Sequence, residues 1–164
     1  MISIGGTKFE LGMRDLKKKV LKARRQIIGK TVMTGIAEQG LTIIQKRTQT
    51  GKDLLGRRFT KYTDAYRKRR LKKGRSGTRV DLTFSGRMLG AMQSKFIRAG
   101  KAVINFSRAE EAAKAGGNER KRQFFGVVSK SEIDALIKEG NRLIDKEIKR
   151  LGLTEWLRLP LFPS

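Results

Sequence analysis

The stretch KFIRAGKAVINF, residues 95–106, decides the fold class of this 164-residue chain. Two short runs suited to strands flank a Gly-Lys pair, and such runs around a glycine-containing turn predict a β-hairpin. We therefore predict antiparallel strands over residues 95–99 and 102–106. Because successive side chains of a strand point to opposite faces, Ile104 and Phe106 share one face, and we expect that face to contact the core.

Downstream of this hairpin, two Ser-x-x-Glu sequences match the capping box that opens helices. The first, Ser107–Glu110, predicts a short helix through Ala115. The second, Ser129–Glu132, predicts a long helix to about Leu151. Apolar residues recur along this second helix at spacings of three and four, which indicates one apolar stripe. The stripe consists of Ile133, Leu136, Ile137, Ile144, Ile148 and Leu151.

Upstream of the hairpin, residues 15–49 also have helical periodicity, but glycines interrupt it. Since a glycine inside a helix costs up to ~1 kcal/mol relative to alanine, we predict one bent helix or two helices that meet near Gly29. A short helix is predicted over Thr63–Leu71. Another, carrying Met88, is predicted to follow Ser85 as its N-cap.

These elements together predict an α+β fold, a small antiparallel sheet packed by a long N-terminal helix and a long C-terminal helix. Residues 2–11 are compatible with a second hairpin and equally with a loose N-terminal arm. Residues 123–128 suit a buried strand. We assign residues 1–152 to a single domain and residues 153–164 to an apolar C-terminal tail.

The charge of the chain is strongly positive and uneven. The net charge is +24, and residues 1–80 hold 23 of the 39 basic residues but only 5 of the 15 acidic ones. Such an excess attracts polyanions, which leaves DNA, RNA, a membrane surface or an acidic protein open as partners. The densest cationic run consists of Arg67, Lys68, Arg69, Arg70, Lys72, Lys73, Arg75 and Arg79.

No residue pattern in the chain indicates catalysis. The absence of Cys and His excludes Ser-His-Asp and Cys-His constellations and the usual zinc ligands. Asp53, Asp64 and Asp81 are scattered acids without metal-ligand spacing. We therefore predict a non-enzyme with no catalytic residue, no cofactor and no metal. The chain has neither the signature of a signal peptide nor an apolar run near the ~18 residues of a membrane span, so we also expect no membrane partner.

Three blocks of the sequence occur in a familiar order: RTQTGKDLLGRRFTKYTDAYRKRRLKKGR, VDLTFSGRMLGAM and RQFFGVVSKSEIDALI. In this order they resemble the virion-morphogenesis and tail-completion proteins of tailed bacteriophages, over about residues 12–151. The chain departs from that pattern at Lys121, where many relatives have proline. The residues that carry the resemblance are Gly51, Asp53, Gly56, Phe59, Tyr62, Leu82, Gly86, Met88, Arg122, Phe124 and Gly126.

This resemblance implies a structural virion protein of the head–tail neck, assembled in the cytoplasm of the bacterial host. Such a subunit would form a ring of six copies that completes the tail and joins it to the head, as a tail terminator or connector. Its partners would be its own copies, neighbouring neck or connector proteins, tail-tube proteins, and genomic DNA in the lumen.

In such a ring, the cationic run from Arg67 to Arg79 would line the lumen or contact an acidic neighbouring ring. The apolar tail has no counterpart in the resemblance. Because large apolar groups at an exposed terminus need a partner surface, we expect the tail either to fold back on its own core or to dock on a neighbouring subunit through Trp156, Leu157, Leu159, Leu161 and Phe162. The charge alone also permits a nonspecific basic nucleic-acid-binding protein, or an adaptor that binds an acidic protein.

Overall fold

A computed structural model of the chain describes residues 18–153. Residues 18–27 are helical and are called α1. The remaining elements are α2 (Lys30–Gln49), α3 (Asp64–Lys72), α4 (Arg87–Gly90), β1 (Met92–Arg98), β2 (Lys101–Phe106), α5 (Ala109–Glu119) and α6 (Lys130–Arg150). The strands β1 and β2 form a two-stranded antiparallel sheet. With long helices before and after this hairpin, the fold is α+β, as predicted.

The predicted hairpin is confirmed, with longer strands than the sequence indicated. Ser94 pairs with Ile104, and the chain turns at Gly100, whose positive φ of 75° suits a glycine. Ile104 and Phe106 are partly buried and pack against the core, on the predicted face. Helix α2 lies across both strands and also packs against α6.

The N-terminal helical region consists of two helices that meet near Gly29, which is one of the two predicted alternatives. Gly29 adopts an extended backbone (φ −77°, ψ −161°) and is the N-cap of α2. The break separates α1 from α2. The Gly29 carbonyl accepts the amide of Met33, which starts the hydrogen-bond ladder of α2.

The packing of α2 against α6 depends on small residues at the crossing. A Cβ at Gly35 of α2 would lie 2.6 Å from Cδ1 of Leu143 on α6. In the opposite direction, a Cβ at Gly140 would lie 3.3 Å from Cδ1 of Ile36. The two long helices therefore pack closely here, and a larger residue at either position would require the end of the Leu143 or Ile36 side chain to move.

The hydrophobic core lies between α2, the hairpin and the connecting loops. It contains Ile44 of α2 and Met92 of β1, and Phe124 at its centre is completely buried. The resemblance-carrying residues that belong to this core are Phe59, Leu82, Met88 and Phe124, with Tyr62 packed against them.

Some local predictions are wrong. Residues 123–128 form no strand and are irregular; only Phe124 among them is fully buried, and its carbonyl accepts a hydrogen bond from Arg47 at 2.6 Å. The N-cap of α4 is Gly86, not Ser85. A Cβ at Gly86 would meet no neighbour within 4 Å, so the positive φ of 75°, and not a lack of space, explains the glycine. The N-cap of α5 is Arg108, one residue after the predicted Ser107.

Two predicted features, the hairpin or arm at residues 2–11 and nearly all of the apolar tail, lie outside the described residues. None of the helices within residues 18–153 has the length and apolar character that a membrane span requires.

Candidate interaction surfaces

Helix α3 carries most of the cationic run, and its local sequence explains its position. Thr63 is its N-cap in an extended conformation, Asp64 lies in the first turn, and basic residues fill the last turn. This arrangement complements the helix dipole. The side chains that project into solvent from α3 and the following loop define the α3 basic surface. They are Arg67, Lys68, Arg69, Lys72, Lys73, Arg75 and Arg79.

Arg70, which the sequence grouped with these cations, is not part of that surface. It is completely buried. Its guanidinium donates hydrogen bonds to Asp81 Oδ1 at 2.9 Å and to the Ser76 carbonyl at 2.7 Å. Arg70 therefore holds the loop after α3 against the body of the protein, and the prediction that it contacts DNA or an acidic partner is wrong.

Tyr62 is also occupied by internal contacts. The guanidinium carbons of Arg70 and Arg122 lie 4.8 Å and 5.2 Å from the centre of its ring. Its hydroxyl accepts a hydrogen bond from the Leu82 amide at 3.2 Å. Burial raises the pKa of Tyr62 above its usual value of 10.0, although the Arg70 cation opposes this. Tyr62 therefore joins three segments of the chain.

The scattered aspartates each have a structural partner. Asp53 accepts hydrogen bonds from the Leu55 and Arg57 amides and from the Arg57 guanidinium, which closes the loop that contains Gly56. Burial of Asp53 acts to raise its pKa, but these hydrogen bonds outweigh it and lower the pKa below the usual value of 3.8. Asp81 binds Arg70 as described, and Asp64 lies 3.5 Å from Arg67 on the surface.

Arg122 and Lys61 belong to a second cationic cluster, which was not recognised in the sequence. Arg122 donates hydrogen bonds to the carbonyls of Thr60 and Lys61, at 3.0 Å and 3.2 Å. These contacts bring residues 57–61 beside residues 120–122. No sequence signal joins two segments so far apart along the chain, because only the folded core places them together.

An apolar group remains in solvent at the start of α6. Ser129 is the N-cap, so Val128 and Ile133 occupy the N′ and N4 positions, which lie next to each other at a helix start. Ile137 follows one turn later on the same side. These three side chains are 45%, 41% and 55% exposed and define the apolar α6 face. The predicted apolar stripe of α6 is thus only partly covered by the protein itself.

Between residues 18 and 153, no three His, Cys, Asp or Glu side chains form a group that could hold a metal ion. Comparison of the chain with protein-family models, curated proteins and solved structures finds no match.

Proposed function

We propose that this chain is a ring-forming structural subunit of a tailed-bacteriophage virion, a tail-completion or head–tail connector protein of the neck. The order of the three sequence blocks supports this assignment. Their packing is consistent with an architectural role: Gly51 and Gly56 form turns with φ of 81° and 79°, and Phe59 and Phe124 lie in one core. These residues shape the subunit and leave its surface for contacts with other subunits.

The apolar α6 face is the observation that carries the proposal. A protein of net charge +24 repels its own copies, so association needs apolar area to offset this repulsion. A closed ring uses a heterologous interface, in which one face of each subunit contacts a different face of the next. The apolar α6 face serves as one of these two faces, and its occupant is a second copy of this chain.

The α3 basic surface has a separate role in this proposal. Of its cations, Arg67 is 3.5 Å from Asp64, and Arg69 lies over the ring of Phe84 at 5.3 Å. The surface therefore keeps most of its positive charge. In a neck ring it contacts the phosphates of genomic DNA in the lumen or an acidic surface of a neighbouring ring.

Light scattering of the full chain at low and high salt tests the assembly directly. We expect closed oligomers, favoured by salt because screening weakens repulsion between subunits. The double variant Ile133→Ser, Ile137→Ser is expected to remain monomeric with an unchanged circular-dichroism spectrum. The control Leu71→Ser removes a leucine of α3 that is 58% accessible, more than either isoleucine, and is expected to assemble normally. A chain that stays monomeric under all conditions, or assembles despite the α6 variant, contradicts the proposal.

The second candidate function is nonspecific nucleic-acid binding by a free monomer, and the α3 basic surface favours it. This function predicts tight binding to duplex DNA without assembly, with an affinity that falls steeply as salt rises. Adding duplex DNA to the light-scattering series separates the two functions. Oligomers that form without DNA support the neck subunit, whereas a DNA-bound monomer supports the alternative.

A further inference from the structure

A groove runs between the start of α3 and the turn that follows α5. Its central hollow, of about 720 Å³, is lined by Tyr62, Tyr66 and Leu82 on one side and by Lys121 and Arg122 on the other. This volume lies within the range of roughly 300–1,000 Å³ that is typical of ligand-binding sites.

Two smaller hollows extend the central one at its ends. One, of about 350 Å³, shares Thr60, Lys121 and Arg122 with it. The other, of about 340 Å³, shares Tyr66 and Leu82. Because neighbouring hollows share lining residues, we treat the three together as one surface groove, which we call the Tyr66 groove.

Positive charge surrounds the central hollow and continues into one of its two neighbours. Lys61, Lys121 and Arg122 surround the central hollow, and within residues 18–153 no carboxylate forms an ion pair with them. Arg58 and Arg120 continue the charge into the smaller hollow of about 350 Å³.

The acids near the groove are already engaged. Asp53 at one end binds Arg57 at 3.0 Å, and Glu111 at the other end binds Lys114 at 2.7 Å. Glu119 accepts hydrogen bonds from the amides of Phe124 and Phe125, at 3.0 Å and 3.1 Å. These carboxylates offset part of the charge at the ends and leave the central cations without a carboxylate partner among the described residues, although Arg122 already donates hydrogen bonds to the Thr60 and Lys61 carbonyls.

Tyr66 provides an aromatic surface within this cationic channel. It is partly exposed and lines both the central hollow and the end hollow beside Phe84. Its ring is held edge-on to Tyr62 at 4.9 Å and tilted to Phe84 at 5.8 Å. An aromatic ring fixed beside a row of cations is the combination by which proteins bind unpaired bases and their phosphates.

We propose that the Tyr66 groove binds a single strand of nucleic acid, with phosphates at Lys61, Lys121 and Arg122 and a base against Tyr66. A duplex fits less well, because stacking on a side chain requires an unpaired base. A free mononucleotide uses only the central hollow, whereas the charge continues beyond it. An acidic peptide would use the cations but gain little from the aromatic ring. This inference is independent of the neck-subunit proposal, and the groove adjoins the α3 basic surface, with which it shares Arg69.

Fluorescence anisotropy with a labelled oligothymidylate tests the charge contribution. Each lost phosphate contact lowers the salt dependence of single-strand binding by about 0.7 in the log–log slope, so Lys61→Gln, Lys121→Gln is expected to lower it by about 1.4. The control Lys138→Gln, Lys146→Gln removes the same charge from exposed positions on α6 and is expected to keep the slope. If both double variants change the slope equally, binding is delocalised and the proposal is wrong.

The aromatic contribution is tested at Tyr66. Tyr66→Leu is expected to weaken oligothymidylate binding about tenfold, and Tyr66→Phe, which keeps the ring, to bind within about twofold of the parent chain. An oligothymidylate carrying 5-iodouracil is expected to crosslink to Tyr66 under ultraviolet light. Thermal unfolding of both variants, and binding of poly-glutamate, serve as controls and are expected to change little.

The binding of other ligands provides further results that would overturn the inference. If Tyr66→Leu binds the strand normally, or if poly-glutamate or a blunt duplex competes as well as the strand and depends on the same lysines, the groove is not a single-strand site. Binding of ATP with the affinity of the strand points to a nucleotide pocket and also contradicts it. A chain that assembles but binds no strand overturns this inference alone, and a chain that binds strand but never assembles overturns the neck-subunit proposal alone.

Discussion

Arg70 shows that not every residue of a cationic run in the sequence lies on the surface of the protein. Its side chain is almost fully buried, and the side chain of its partner Asp81 is 17% exposed. Asp81 also accepts a hydrogen bond from the Thr83 amide at 3.0 Å. The ion pair therefore fixes both ends of the loop after α3, which keeps the α3 basic surface in one orientation.

Loss of Asp81 is expected to destabilise the protein strongly. Asp81→Ala leaves a buried guanidinium without its counter-ion, for which a cost of about 3 kcal/mol in unfolding free energy is expected. The control Asp64→Ala removes an aspartate that is 82% exposed and paired with Arg67, and its effect is expected to stay within about 0.5 kcal/mol. Urea unfolding followed by circular dichroism measures both. Equal effects of the two variants would contradict the assigned role of Arg70.

The raised pKa of Tyr62 predicts a loss of stability at high pH. The unfolded chain loses this proton near pH 10, while burial keeps it on the folded protein to a higher pH. The stabilisation is therefore complete below about pH 10 and is lost as the pH rises through the folded-state pKa. Because the chain has two tyrosines, tyrosinate absorbance of the Tyr66→Phe variant reports Tyr62 alone. A titration of the folded variant that coincides with that in denaturant would contradict the burial argument.

At the scale of the elements, the two capping-box sequences behave differently. The Ser129 hydroxyl accepts the Glu132 amide at 3.3 Å and caps α6. The Glu132 carboxylate does not turn back to its own N-cap, since it binds Arg47 of α2 at 2.8 Å. At α5, no side-chain cap forms, and the helix starts after Arg108.

The capping difference predicts unequal effects of the same substitution. Ser129→Ala is expected to lower the unfolding free energy by about 1 kcal/mol, because it removes the cap of a 21-residue helix. Ser107→Ala, at the matching position of the other Ser-x-x-Glu sequence, is expected to change it by less than about 0.5 kcal/mol. Chemical denaturation of the pair is the measurement. Comparable losses would mean that Ser107 also caps a helix in solution.

These elements also show which parts of the fold can be predicted from sequence. The hairpin, the break at Gly29 and α6 follow from local periodicity and turn residues, so their positions were predicted closely. The segment at residues 123–128 was not, since its backbone is held by the hydrogen bonds of Arg47 to the Phe124 and Gly126 carbonyls and not by strand pairing. Partners this distant along the chain leave no local pattern.

At the scale of the whole molecule, the candidate surfaces were also predicted where their residues are close in sequence and missed where folding brings distant residues together. The cations of the α3 basic surface were predicted because they are close together in the sequence, but Arg70, which was predicted with them, is buried. The Tyr66 groove was not, because residues 57–61 and 120–122 meet only after folding. Ile133 and Ile137 of the apolar α6 face were predicted as part of the apolar stripe of that helix, and only the folded structure shows that they stay exposed.

The net charge of +24 predicts how salt acts on the folded chain. Folding brings the positive charges closer together, and their repulsion destabilises the compact state. Because the Debye length falls from about 30 Å at 0.01 M salt to about 8 Å at 0.15 M, screening removes most of this repulsion. The melting temperature is therefore expected to rise between these salt concentrations, under conditions where the chain is monomeric by light scattering.

A charge-neutralising variant separates this long-range repulsion from the local ion pairs. Lys68→Gln, Lys72→Gln, Lys73→Gln removes three exposed cations of the α3 basic surface, and it is expected to raise the melting temperature at 0.01 M salt but to have little effect at 0.15 M. The local pairs, Arg47 with Glu132 and Arg70 with Asp81, are largely shielded from solvent and respond weakly to salt. A melting temperature that falls as salt is added would mean that attraction within such pairs exceeds the repulsion. The surplus of cations would then cost the isolated subunit little, and the apolar α6 face would have less repulsion to offset when copies associate.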